Sequence, residues 1–307
     1  MAPEPDLLLD RRRLKRRLSL WRAGAVLALA SLAGLLLLRL PAEDAMLPGG
    51  PYIARLEVNG FIGEDRRLLE ELDRLRRDPA ARALLVAVDS PGGSVAGGEA
   101  LHAALRGFGA DKPVVATLGG TAASAGYMVA LPAARIFARE SSVTGSIGVI
   151  LQSFDAAELL ARLGIRAESV ASGPFKDQPS PFRPLTEEGR TELRRVVDDL
   201  HAQFVAMVVA GREMPEARVR ELADGRVFTG RQAVALGLVD AIGGEAEAKA
   251  WLAAARGLPP GLPVRRVELR GLAERTFGAA VALTVETLVR EWLGVDRVRA
   301  VWQPFQR

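Results

Sequence analysis

Hydrophobic and polar positions along this chain change rhythm repeatedly, and each change marks an element. Tyr52–Val58 reads as a strand, and Glu64–Arg77 as a helix because Leu68, Leu69, Leu72 and Leu75 recur at helical spacing. Ala83–Val88 is an unbroken apolar run, the pattern of a strand buried on both faces. Asp89-Ser90-Pro91-Gly92-Gly93-Ser94 then reads as a turn, followed by a helix through Arg106. The unit repeats as strand Pro113–Leu118, turn Gly119-Gly120-Thr121, helix Ser124 to about Leu131 and strand Arg135–Ala138. Strands alternating with helices predict an α/β fold with parallel pairing and crossover helices. Farther on, Thr186–Arg212 predicts a long helix with Leu193, Val196, Val197, Leu200 and Phe204 on its apolar stripe, and Pro259-Pro260 ends a later one. Residues 271–295 predict an amphipathic helix through Phe277, Val281, Val285, Leu288 and Trp292.

The N-terminal pattern is of another kind. Ala23–Leu38 carries no charge and only Ser31 as a polar side chain, and Leu18, Leu20 and Trp21 extend it. About 20 apolar residues cross a bilayer. With basic residues before it and Arg39, Glu43 and Asp44 after it, the run predicts a single-pass anchor with the N-terminus inside. A cleaved signal peptide is the competing reading, against which stand the long basic region and the poor cleavage site in Leu40–Ala45. The chain therefore divides into a basic tail (1–22), an anchor (23–40), a linker (41–51), an α/β domain (52–258) and a C-terminal strand and helix (259–307).

Charge supports that division. The formal net charge is +4, and residues 1–22 alone carry all of it, so the body is balanced. A balanced body presents no field for a nucleic-acid partner. The chain has no cysteine, which excludes disulfides, thiolate metal sites and cysteine nucleophiles, and its two histidines (His102, His201) speak against a histidine-built metal centre.

Three segments carry candidate chemistry. The chain has 37 arginines and only four lysines: Lys15, Lys112, Lys176 and Lys249. A guanidinium stays protonated, whereas a buried amine can act as a base. Lys176, in Ser172-Gly173-Pro174-Phe175-Lys176-Asp177, is the lysine whose setting suits that role; exposed residual lysines are the plain alternative. Ser124, in Thr121-Ala122-Ala123-Ser124-Ala125-Gly126-Tyr127, sits among small residues at a strand-to-helix junction, where it serves either as a nucleophile or as an ordinary N-cap. Pro91-Gly92-Gly93 either points a backbone N–H at a ligand or simply turns the chain. Neither histidine is placed to be a base: none lies between Ser124 and His201, which falls inside the long helix.

Taken together with Thr144-Gly145-Ser146-Ile147-Gly148-Val149, Ser180-Pro181 and Gly225-Arg226-Val227-Phe228-Thr229-Gly230 through Gly237-Leu238-Val239-Asp240, these segments resemble the signal peptide peptidase family of serine–lysine proteases, in its short single-repeat form. The resemblance runs from about Ile53 to Gly244. It implies a Clp protease/crotonase-like repeated ββα fold, with Ser124 as nucleophile, Lys176 as general base, Gly93 and Ala125 as oxyanion donors and Ser146 orienting the lysine. It implies no metal or cofactor. It further implies a homo-oligomeric, dome-like ring (an octamer) on the bacterial inner membrane, anchored through residues 23–38. The catalytic domain would then lie on the extracytoplasmic side, cutting apolar peptides such as signal-peptide remnants and some misfolded exported proteins. Each motif occurs once, so one chain is expected to supply both members of the dyad. The family usually has glycine after the nucleophile; here Ala125 is expected to narrow the space beside the hydroxyl. A crotonase-like acyl-thioester enzyme and a catalytically silent membrane scaffold are the other functions this pattern admits.

Overall fold

The computed structural model describes Trp21 and residues 50–267. The anchor expected at 23–40 and the helix expected at 271–295 lie outside the described residues. Among the described residues no helix is long and apolar enough to cross a membrane.

From Tyr52 onward strands and helices alternate as the pattern predicts: β1 (Tyr52–Ile62), α1 (Arg66–Arg77), β2 (Ala81–Gly93), α2 (Val95–Asp111), β3 (Val114–Ala123), α3 (Ala125–Ala130) and β4 (Arg135–Ala138). Then come β5 (Val143–Gly145), α4 (Ala157–Arg162), α5 (Glu187–Arg212), α6 (Glu216–Leu222), β6 (Val227–Thr229), α7 (Gly230–Ala235), β7 (Ala241–Ile242), α8 (Glu245–Arg256) and β8 (Val264–Arg266). The sheet runs β6-β5-β3-β2-β1-β8, with β4 on β3 and β7 on β4. Every pair is parallel except β5–β6. The fold is mixed α/β.

Alternation along β2 explains why its sequence is apolar throughout. Leu84, Val86 and Val88 enter the core beneath α2, α3 and α5, while Ala83 and Leu85 enter a smaller core with Ala248 and Leu252 of α8. A strand covered on both faces has no solvent side to mark with polar residues.

Of the segments read as turns, 89–94 and 119–121, all but Ser94 are still strand, and they are bulged. Val88 pairs with Leu118 and Ser90 with Ala122, so Asp89 alone faces the three residues Gly119, Gly120 and Thr121. An excess residue on one strand bends it and re-aims the residues beyond the bulge. The Asp89 carboxylate accepts the Thr121 N–H at 3.0 Å and secures the bulge. At this point β3 forks: Val115–Leu118 pair with β4, whereas Thr121–Ala123 pair with β5. The fork swings the end of β3, and with it Ser124, out of line with its first half.

Helix ends follow local chemistry. The Asp65 carboxylate accepts the Arg67 and Leu68 N–H groups at 3.0 and 3.2 Å, starting α1 two residues later than the hydrophobic pattern suggests. Thr186 caps α5 through the Gly189 N–H, so it precedes that helix rather than opening it. Lys112 acts structurally, since its ammonium donates to the Leu75 and Asp78 carbonyls at the C-terminal end of α1. Along α5 only the later part of the stripe is covered. Phe204, Val205 and Val208 are buried, while Val196 is 53% exposed.

One ion pair ties α5 to the sheet. Arg212 grips Asp240 with two bonds of 2.7 and 3.1 Å and donates to the Gly237 carbonyl at 3.0 Å. Asp240 also accepts the Ile136 N–H at 2.7 Å. Burial opposes ionisation of Asp240, but the Arg212 guanidinium and the Ile136 N–H outweigh it and hold the carboxyl below its usual value. That stabilisation is fully present above the unfolded carboxylate's value of about 4 and is lost as pH falls through the lower folded value. Replacing Arg212 by Leu strands a half-buried carboxylate and should cost about 1–3 kcal/mol in urea denaturation at pH 7. The deficit relative to wild type should shrink below pH ~4. An unchanged urea midpoint at pH 7 would show that the pair contributes nothing.

Candidate active site

Ser124 joins β3 to α3 with φ 53° and ψ −122°. Residues with a side chain rarely occupy that region, and holding one there costs on the order of 1–3 kcal/mol. Its N–H donates to the Gly145 carbonyl at 2.9 Å, and its carbonyl accepts the Met128 N–H at 3.0 Å. An ordinary N-cap serine folds its hydroxyl back onto the helix amides. Ser124 does not: its side chain caps no amide of α3, and the residue remains half-exposed. The hydroxyl stands free at the entrance of a helix.

The glycine turn packs directly against it. Gly92 has φ 126°, and a Cβ on it would lie 2.9 Å from Ser124 Cβ and 3.4 Å from Oγ. Ser90, fully buried, sets this approach: its hydroxyl donates to the Gly60 carbonyl at 2.6 Å and accepts the Gly92 N–H at 3.1 Å. The Ser94 N–H goes to the Ile62 carbonyl at 2.9 Å. The amides on either side of Gly93 are thus both engaged, and Gly93 itself is half-buried. A Cβ on Gly93 would fall 2.0 Å from the Ile62 oxygen, so no other residue fits.

Ser146 stands on the opposite flank, with φ 50°. Its N–H donates to the Arg226 carbonyl at 2.8 Å, and it directly follows Gly145, whose carbonyl holds Ser124. Antiparallel pairing with β6 and a 2.7 Å bond from the Thr144 hydroxyl to the Ala122 carbonyl fix this strand end. Ala125 is buried against α2 rather than facing solvent beside the hydroxyl.

Lys176 is placed differently. It is exposed, as is Phe175 (47%), and none of residues 150–176 is buried. Its backbone N–H bonds to the Gly173 carbonyl at 3.3 Å. One chain brings together Gly92, Gly93, Ser124, Ala125 and Ser146; it leaves Lys176 in solvent. Of the histidines, His102 lines a cavity with Leu131 and Pro132, at the end of α3 opposite Ser124. Burial, then the charge of Arg106, pushes its pKa down to about 4.

Sequence reasoning leaves Ser90 and Thr144 as parts of motifs without a role of their own, and passes over Ser142. All three are buried hydroxyls bonded to carbonyls of the distorted strands; Ser142 donates to Leu118 and Gly119. The available signal is a hydroxyl inside an otherwise apolar run, since a buried polar group needs a partner.

The chain matches the model of "Peptidase family S49" over residues 107–259. It is 40% identical over 210 residues to "Putative protease slr0021" of Synechocystis sp., covering 68% of this chain and 76% of the relative. To "Putative signal peptide peptidase SppA" of Enterococcus faecium it is 32% identical over 271 residues, covering 82% and 76%. Among solved structures, a ClpP1 mutant from Listeria monocytogenes aligns with TM-score 0.42 and 14% identity over 63% of this chain and 93% of that one.

Because Ser90 alone joins the Gly60 carbonyl to the Gly92 amide, Ser90→Ala should lower stability by about 1–3 kcal/mol in chemical denaturation. It should also slow any reaction at Ser124 in the remaining folded protein. Unchanged stability together with unchanged reactivity would contradict the bracing role.

Proposed function

The chain belongs to peptidase family S49, the signal peptide peptidase family, and from that premise we propose that it is a serine endopeptidase working through a Ser124–Lys176 dyad. The observation that carries this reading is the strained, uncapped Ser124 at a helix entrance, flanked by the Gly92–Gly93 turn.

The chemistry follows from the positions. Ser124 Oγ attacks the carbonyl carbon of a peptide bond while its proton passes to the Lys176 amine. The N–H of Gly93, with that of Ala125 at the start of α3, receives the oxyanion; removing one such donor typically costs about 3–4 kcal/mol of transition-state stabilisation. Collapse breaks the C–N bond, and the lysine delivers its proton to the departing amine. Water, deprotonated by the same lysine, then cleaves the acyl-enzyme and regenerates the serine. Ser146 orients the amine.

A lysine in open solvent is a poor base, because water stabilises its ammonium form. The exposed stretch 150–176 supports a remedy. Phe154 is 74% exposed and Leu163 66%, α4 buries no residue, and Leu193 and Val197 of α5 line an open cavity with Ile150 and Leu151. Covering such surface in an assembly of copies would withdraw Lys176 from water and carry it to the Ser124 of an adjoining chain. On this reading the two groups come from different chains, where the simpler expectation has one chain supply both. The ring, the Clp/crotonase kinship, the anchor at 23–40, the extracytoplasmic location and the preference for apolar peptides such as signal-peptide remnants belong to the same reading. An anchored ring would hold the site where apolar peptides leave the bilayer.

Hydrolysis of a fluorogenic leucine- and alanine-rich peptide by the full chain tests it. Ser124→Ala, Lys176→Ala and Lys176→Arg should all be inactive, the last because a guanidinium keeps its proton. Mixing the two alanine variants should restore activity through sites that draw each group from an intact chain. Substantial hydrolysis by Lys176→Arg would refute the proton-transfer role. A mixture as inactive as its components would refute the shared site.

A further inference from the structure

Gly98 lies in the first turn of α2, outside every motif that points to the family. Glycine is a poor helix former, and nothing at a helix turn calls for it unless a neighbour needs the space. The neighbour here is the residue after the nucleophile. A Cβ on Gly98 would sit 3.0 Å from Ala125 Cβ, 3.5 Å from Ala125 Cα and 3.0 Å from Met128 Sδ. The sulfur belongs to a flexible side chain and can move aside. The Ala125 methyl cannot move without its own Cα, and that Cα is one peptide unit from Ser124.

We infer that Gly98 and Ala125 are a size-matched pair: the absent side chain on α2 makes room for the methyl group that this chain carries after its nucleophile, and Gly98 thereby sets the position of Ser124. The inference rests on the proposed role of Ser124. It also accounts for the departure from the family's usual glycine. The methyl is buried (Ala125 is 2% exposed) and turned toward α2, so the extra volume is absorbed by the helix behind the site. Gly98 is a positioning residue. It touches no reacting atom, and it acts through the backbone of Ala125.

A steric pair makes a prediction that independent residues do not. In the Ala125 background, Gly98→Ala must push the Ser124–Ala125 peptide by a few tenths of an ångström; since a displacement of about 1 Å can cost a hundredfold, kcat should fall on the order of tenfold with little change in KM. In an Ala125→Gly background the space is vacant, and the same Gly98→Ala change should be nearly neutral. The four proteins (wild type, each single variant and the double) are compared as full chains for kcat and KM on the fluorogenic apolar peptide, and for melting temperature. The expected result is a kcat and melting-temperature penalty from Gly98→Ala with alanine at 125 that disappears with glycine there. Equal penalties in both backgrounds, or none in either, overturn the pair. Should Gly98→Ala alone fail to fold, the double variant must fold; a double that also fails overturns it. A further variant, Gly98→Ala/Met128→Ala, separates the two neighbours: full rescue by Met128→Ala instead of by Ala125→Gly would make Met128 the partner and overturn the inference. If wild type itself shows no hydrolysis, the proposed function fails first, and the pair is then judged by the melting temperatures alone.

Discussion

Everything distinctive in this molecule is arranged around one residue held where it would not rest by itself. Ser124 has a backbone conformation that a serine avoids, and its strain has to be met by bonds formed elsewhere. The Gly145 carbonyl pins its amide from one side, the Met128 amide takes its carbonyl from another, and the Gly92 backbone closes on its Cβ. Each of those partners is itself fixed: Gly145 by pairing with β6, Gly92 by the buried hydroxyl of Ser90. The bulge at Asp89 and the fork in β3 bring these strand ends to one place. Without the fork, β3 would continue alongside β4 and its last residues would never meet β5.

Much of this was legible in the sequence. The apolar run of β2 and the stripe of α1 follow from local rules, whereas hydrophobic spacing places the helix starts at Asp65 and Thr186 too early, because it does not mark which residue caps. The small residues around Ser124 and the paired glycines marked the candidate site, because close backbone approach excludes larger side chains. The bulges were not legible. Asp-Ser-Pro-Gly-Gly and Gly-Gly-Thr carry turn residues, and only long-range pairing, which local composition does not report, keeps them in the sheet. The roles of Ser90, Ser142 and Thr144 were hidden for the same reason: each depends on which distorted carbonyl lies opposite. The scarcity of lysine also had a more ordinary cause in one case, since Lys112 closes the C-terminal end of α1 with donors that a compact ammonium can aim at two carbonyls.

Among the described residues, a poorly covered stretch carries the proposed base. Residues 150–176 hold apolar side chains in water and bury none of them, so a lone chain is energetically incomplete in the region that carries the proposed base. A single step, association with copies of itself, would cover that surface. On the proposed reading, such an arrangement would keep the serine inactive until copies assemble.

The central claim is that the hydroxyl of Ser124 is a nucleophile, and covalent capture measures that directly. The full chain is treated with a fluorophosphonate and the adduct is located by peptide mass spectrometry. The expected outcome is one phosphonylated residue, Ser124, with labelling lost in Lys176→Ala. A folded protein that takes up no label, or takes it up at another serine, would contradict the claim.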